Sequence, residues 1–167
     1  MSAAQELTLV KESLLFGDYA LVSTLGEELA WLRGGFLGAA EGRTAASAWT
    51  FSRPRGWLRP SIMVTDLASG AGVLELAVRS RGPGGSFAFG GEPYQLRQRG
   101  VLRQRWVMSR SGSEVLTLVP SGWLGRERAR LTVAASLPDP LLLSLLTVHA
   151  RLSAKRKRSF DGGGGGD

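Results

Sequence analysis

The chain has 167 residues, 43% of them hydrophobic, and a net charge of +7, a length and apolar content that fit one folded domain with a sizeable core. It contains no cysteine, which excludes disulfides, thiolate metal sites and cysteine nucleophiles, and fits a reducing compartment. The opening Met1-Ser2-Ala3-Ala4-Gln5-Glu6 has neither the basic flank nor the long apolar core of a secretion signal, so a cytoplasmic location is expected.

Charge is unevenly spread. Residues 1–50 carry three basic and six acidic side chains, which leaves +10 for the rest of the chain. Only Lys11, Lys155 and Lys157 among the 21 basic residues are lysine. An arginine-dominated surface suits forked contacts with phosphate or carboxylate. A GC-rich coding bias would give the same composition without any ligand.

From the N-terminus, residues 7–10 and 19–22 read as strands flanking a turn at Phe16-Gly17-Asp18. Gly26-Glu27 turns the chain into a strand over residues 29–33, which Gly34-Gly35 ends, and residues 45–51 resume the pattern. Short apolar segments punctuated by glycine, with no sustained 3.6-residue period, predict antiparallel β-structure with tight turns.

A duplication follows. Gly56-Trp57-Leu58-Arg59 through Val73-Leu74-Glu75-Leu76 aligns with Gly100-Val101-Leu102-Arg103 through Val115-Leu116-Thr117-Leu118. Each copy reads as a strand, a Ser-Gly turn and a return strand. Period-two alternation places Leu58, Ile62 and Val64 in one copy, and Leu102, Trp106 and Met108 in the other, on the core face. Leu74, Leu76, Leu116 and Leu118 join them, while Arg59, Arg103 and Arg105 point the other way.

Between the copies, Arg81-Gly82-Pro83-Gly84-Gly85 reads as a loop, and Phe87 with Phe89 as a short strand before Gly90-Gly91. Arg97, Arg99, Arg103 and Arg105 cluster around a turn at Gly100 and are the candidate anion contacts. Residues 126–135 form a last strand with Arg128, Arg130 and Thr132 on one face and Ala129, Leu131 and Val133 on the other.

The chain then changes period. Asp139 suits a helix N-cap and Pro140 the first helical position, and basic residues from Arg151 onward suit the C-terminal end of the dipole. A helix over about residues 139–156 follows. Its unbroken apolar part is shorter than the roughly 20 residues a bilayer requires, so it is expected inside the protein. Residues 1–158 make the single domain, and residues 159–167, with Gly162 to Gly166, are expected to be a disordered tail.

Repeated strand, polar-Gly turn, strand units followed by Asp139-Pro140-Leu141-Leu142-Leu143 give a chain that resembles the tubby C-terminal-like superfamily, which includes phospholipid scramblases and LURP-one-related proteins. The resemblance covers most of the chain and implies a closed antiparallel barrel around a central apolar helix. It also implies phosphoinositide binding through basic surface residues, although no lipid-contacting motif of that family maps onto positions here.

Nothing in the sequence identifies a reaction. The only histidine, His149, sits in the apolar helix, and Asp66, Glu75, Glu92 and Glu114 are scattered singly, unlike the paired carboxylates of glycoside hydrolysis or a metal site. The glycine runs lack the Gly-Lys-Ser/Thr ending of a phosphate-binding loop. Trp31, Trp49, Trp106 and Trp123 are expected in the core or at a barrel rim, with Trp57 set apart on the Arg59 face.

The sequence therefore predicts a non-enzymatic binding module without metal or cofactor, taking an anionic phospholipid headgroup or another phosphorylated ligand. The alternative is a structural or protein-interaction domain with no small ligand. Nucleic acid is the weakest candidate, since no reading helix or aromatic RNA motif is present.

Overall fold

The computed structural model describes residues 4–12, 18–34, 39–54, 60–80, 82–101, 104–121 and 128–161, with side chains as far as Lys155 in the last segment. The strands are β1 (Gln5–Lys11), β2 (Tyr19–Ser23), β3 (Glu28–Gly34), β4 (Ala39–Thr44), β5 (Ala48–Ser52) and β6 (Ser61–Asp66). They continue with β7 (Gly72–Val78), β8 (Gly84–Phe89), β9 (Glu92–Arg99), β10 (Arg105–Arg110), β11 (Ser113–Ser121) and β12 (Arg128–Val133). Each pairs antiparallel with its neighbour in sequence, and β1 pairs with β12 to close the barrel. Closure removes the unpaired edges on which an open sheet would recruit another strand.

The duplicated hairpins are β6–β7 and β10–β11. Ile62 pairs with Leu76 and Val64 with Leu74; in the other copy Trp106 pairs with Leu118 and Met108 with Leu116. All eight are buried. Leu58 and Leu102, with Arg59, Arg103, Trp57 and Trp123, lie outside the described residues.

Register shows that the repeat is threefold. In β6–β7 the pairing jumps after Val64–Leu74 to Thr65–Gly72, so Val73 is a bulge; in β10–β11 it jumps after Met108–Leu116 to Ser109–Glu114, so Val115 is one. The β2–β3 hairpin has the same irregularity, with Leu21–Ala30 followed by Val22–Glu28 and Leu29 extra. Gly26, Gly70 and Gly112 stand three residues before the bulge in each and have φ of 85°, 70° and 81°. The bulged hairpins recur every fourth strand, and such bulges sharpen the local twist that closure of a barrel requires.

The remaining helix, α1 (Pro140–Asp161), runs through the barrel and touches β3, β4, β8, β10 and β12. A helix apolar on all sides belongs in a core, and Leu142, Leu143, Leu145, Leu146 and Val148 are fully enclosed. Its two most deeply buried hydroxyls bond within the helix: Ser144 Oγ donates to the Pro140 carbonyl at 2.7 Å and Thr147 Oγ1 to that of Leu143 at 2.9 Å. This satisfies polar groups where no water reaches.

Asp139 caps the helix as its sequence position suggests. Its Oδ1 accepts the Leu142 N–H at 3.2 Å, satisfying one of the amides a helix start leaves free. Its backbone departs from the usual extended N-cap, with φ of 46°, a region that aspartate tolerates better than most residues.

Several sequence expectations need correction. The β4 strand escapes sequence reading, because Ala39-Ala40-Glu41-Gly42-Arg43-Thr44 has no strong β-former beyond one threonine. Residues 45–47 of the expected strand over 45–51 form instead the β4–β5 turn, in which Thr44 Oγ1 accepts the N–H groups of Ala46 and Ser47. Gly84 and Gly85 belong to β8 rather than to a loop, paired with Arg97 and Leu96, and a Cβ on either would stand against the backbone carbonyl of Leu96 or Ala77. The helix runs past its expected end at residue 156, to Asp161. Gly162 to Gly166 lie outside the described residues.

Candidate anion site at the barrel mouth

The arginines singled out around Gly100 occupy the outer face where β9 meets β10. Arg99 and Arg105 are direct cross-strand partners, and both reach one carboxylate: Arg99 Nη1 lies 3.4 Å and Arg105 Nη2 3.5 Å from Glu114 Oε1. Glu114 therefore offsets part of their charge and holds two like charges side by side. Arg97 is exposed on the same face of β9. Arg103 lies outside the described residues, so the structure brings three of the four together.

A second basic site lies where α1 leaves the barrel. Strand direction alternates, so the short glycine turns of β2–β3, β6–β7, β8–β9 and β10–β11 gather at the end where the helix begins. At the other end a cavity of about 740 Å³ is lined by Trp106 and Gln98 on the inner side and by Val119 and Arg130 over the rim of β11 and β12. The helix contributes Arg151 and Lys155. Arg151 is only 5% exposed, and both it and Lys155 have interaction partners of their own. Among the described residues that line the cavity there is no carboxylate.

A smaller cavity of about 220 Å³ opens on the neighbouring face of the helix. Ile62, Leu76, Val78 and Pro83 form its apolar wall, with Arg53 and Arg79 at the edge.

Acidic groups concentrate elsewhere. Burial, followed by a hydrogen bond to Glu28 and that residue's charge, raises the Glu12 pKa above its usual value, while Arg33 at 4.0 Å opposes the shift. Asp66 is shifted down by the Ser69 N–H and then by the Ser69 hydroxyl. Among the described residues no group of three His, Asp or Glu side chains converges to hold a metal. His149 is buried, 5.5 Å between ring centroids from Phe51, as a packing residue of the core.

The sequence holds signals for the mouth that alternation alone does not combine. Arg151 and Lys155 read as charges complementing the helix dipole, and Arg130 as one outward residue of the last strand. Only barrel closure around the helix brings all three to one opening. Trp31 corrects the tryptophan assignment: Trp49 and Trp106 are buried, whereas Trp31 lies half-buried on β3 under Arg33 and Arg43, whose guanidinium carbons stand 4.4 and 5.6 Å from its ring centroid.

No helix among the described residues is long and apolar enough to cross a membrane. No family model matches the chain, and no curated protein or solved structure matches it.

Proposed function

We propose that this chain is a non-enzymatic binding module of tubby-like type that takes phosphorylated anions, in the first instance phospholipid headgroups at a cytoplasmic membrane surface. The observation that carries the reading is the mouth cavity, on which Arg130, Arg151 and Lys155 converge. Cations gathered in a concave, partly apolar setting focus a positive potential that attracts anions, and arginine supplies the forked donors that phosphate accepts. The resemblance to a lipid-binding superfamily points the same way.

Co-sedimentation with vesicles tests it. Vesicles containing anionic phospholipid should pellet the protein and neutral ones should not. Each basic residue near such a surface contributes about 1 kcal/mol, so Arg130→Glu with Lys155→Glu should weaken binding more than roughly tenfold. Arg97→Glu with Arg105→Glu should cost less, because Glu114 already offsets charge on that face. Equal recovery with both vesicle types would sink the reading.

A second reading, a protein-interaction domain with no small ligand, is favoured by Trp31 beneath Arg33 and Arg43 on the outer face. Tryptophan and arginine are the residues that most often anchor protein interfaces.

A further inference from the structure

The two cavities at the barrel mouth adjoin along α1. Successive helical residues turn by about 100°, so Ala150, Ser153 and Ala154 form one stripe and Arg151 and Lys155 the next. The first stripe lines the smaller cavity and the second lines the larger, with Ala154 lining both. A methyl group is thus all that the helix places at their junction.

Their linings are complementary in chemistry. The larger cavity holds Arg130, Arg151 and Lys155. The smaller one reaches down to Ile62 and Leu76, which are fully buried in the core, and has Val78 and Pro83 along its side. Its charged residues, Arg53 and Arg79, are both cationic and exposed at the edge. Val101, which borders the larger cavity, is 92% exposed, so the approach to the mouth is itself partly apolar.

We propose that the mouth takes a single-chain anionic amphiphile: its phosphate sits among Arg130, Arg151 and Lys155, and its alkyl chain passes Ala154 into the slot walled by Ile62, Leu76 and Val78. The inference rests on the anion-binding reading of the larger cavity and adds the hydrophobic half of the ligand. Complementarity fixes which end goes where. A phosphate in the smaller slot would meet its two arginines only at the edge and aliphatic side chains within, whereas the larger cavity sets three cations beside its apolar Trp106, Val119 and Pro120. Binding needs no covalent step.

Titration calorimetry of the full chain with methyl, butyl and octyl phosphate, each kept monomeric, tests both halves. Each methylene that enters the slot should tighten binding by up to about fourfold, so octyl phosphate should bind at least roughly tenfold more tightly than butyl phosphate. Ser153→Leu and Val78→Trp each fill the slot from a different wall. Either should remove the chain-length gain, leave methyl phosphate binding unchanged and preserve the melting transition. Two variants are used so that a substitution that unfolds the mouth, which the melting curve reveals, is replaced by the other.

Equal affinity along the series would overturn the slot while leaving the anion site standing, as would a gain that survives in a folded slot-filled variant. Absence of binding by every alkyl phosphate would overturn the anion site as well. A gain that persists in Arg130→Glu with Lys155→Glu at undiminished affinity would show that the chain binds without its head among these cations, and would overturn the paired arrangement.

Discussion

Gly42 on β4 lies directly against Leu145 in the second turn of α1. A Cβ built on Gly42 would stand 2.9 Å from Leu145 Cδ1 and 2.7 Å from Phe51 Cε2, both closer than carbon atoms pack. The residue is small because the helix passes next to it. Gly42→Ala should therefore destabilise by about 1–3 kcal/mol through overpacking, read as a lower urea midpoint with unchanged slope. Leu145→Ala alone should cost about 2–5 kcal/mol. The double variant should be more stable than the sum of the two effects, because removing Leu145 makes room for the added methyl; strict additivity would mean that Phe51 alone resists it.

Helix α1 is the interior of the barrel, and the strands enclose nothing without it. Leu145→Asp should abolish cooperative folding, since it adds an unpaired buried carboxylate to a lost side chain. A chain ending at Pro138 should behave likewise. Were that shortened chain soluble and cooperatively melting, the helix would be an accessory rather than the core.

Two carboxylates should show opposite dependence on pH. Asp66 accepts the N–H of Ser69 at 2.7 Å and its hydroxyl at 2.9 Å, which lowers its pKa from the ordinary 3.8. A lowered carboxylate pKa stabilises the fold above the unfolded value, and that contribution is lost as pH falls through the folded value. Glu12 is raised from its ordinary 4.5 by burial and by Glu28, so its contribution turns unfavourable as pH rises from 4.5 through the folded pKa. Melting curves should show Asp66→Asn less stable than the parent at neutral pH and Glu12→Gln equal or more stable. Both differences should shrink in strong acid, below the two folded values. A deficit of Asp66→Asn that stays constant with pH would mean that its charge plays no part in the turn.

The parts of this fold legible from sequence are those with strong periodic contrast. Arg128-Ala129-Arg130-Leu131-Thr132-Val133 alternates outward and inward without exception, and the Asp139-Pro140 start of α1 is readable from capping chemistry alone. The β4 strand is hidden because Ala40 and Gly42 are its inward residues, and small side chains give no hydrophobic signal. Their smallness answers to a helix far along the chain. The third repeat is hidden for a related reason: its inward pairs are Tyr19–Leu32 and Leu21–Ala30, and Ala30 breaks the Val-Leu-x-Leu pattern that the other two copies share. For the candidate site, alternation identifies basic residues strand by strand, but which of them face a common opening depends on closure and on where α1 emerges.

The β10–β11 turn offers a test of local conformation separated from packing. Ser111 and Gly112 occupy its two central positions with φ of 50° and 81°, between the paired Arg110 and Ser113. Positive φ at both positions is the mark of a type I′ turn, which matches strand twist but favours Asn-Gly over Ser-Gly. The equivalent turn between β8 and β9 uses Gly90 and Gly91, with φ of 59° and 79°. A Cβ on Gly112 would meet nothing within 4 Å, so Gly112→Ala should cost only the left-handed backbone penalty, about 1–2 kcal/mol. Ser111→Asn should be stabilising by up to about 1 kcal/mol, and Ser111→Val destabilising, since a β-branched residue fits that region poorly. In urea, the Ser111→Asn midpoint should lie above that of the parent, and those of Gly112→Ala and Ser111→Val below it. A Ser111→Val variant as stable as the parent would show that the turn relaxes to another type.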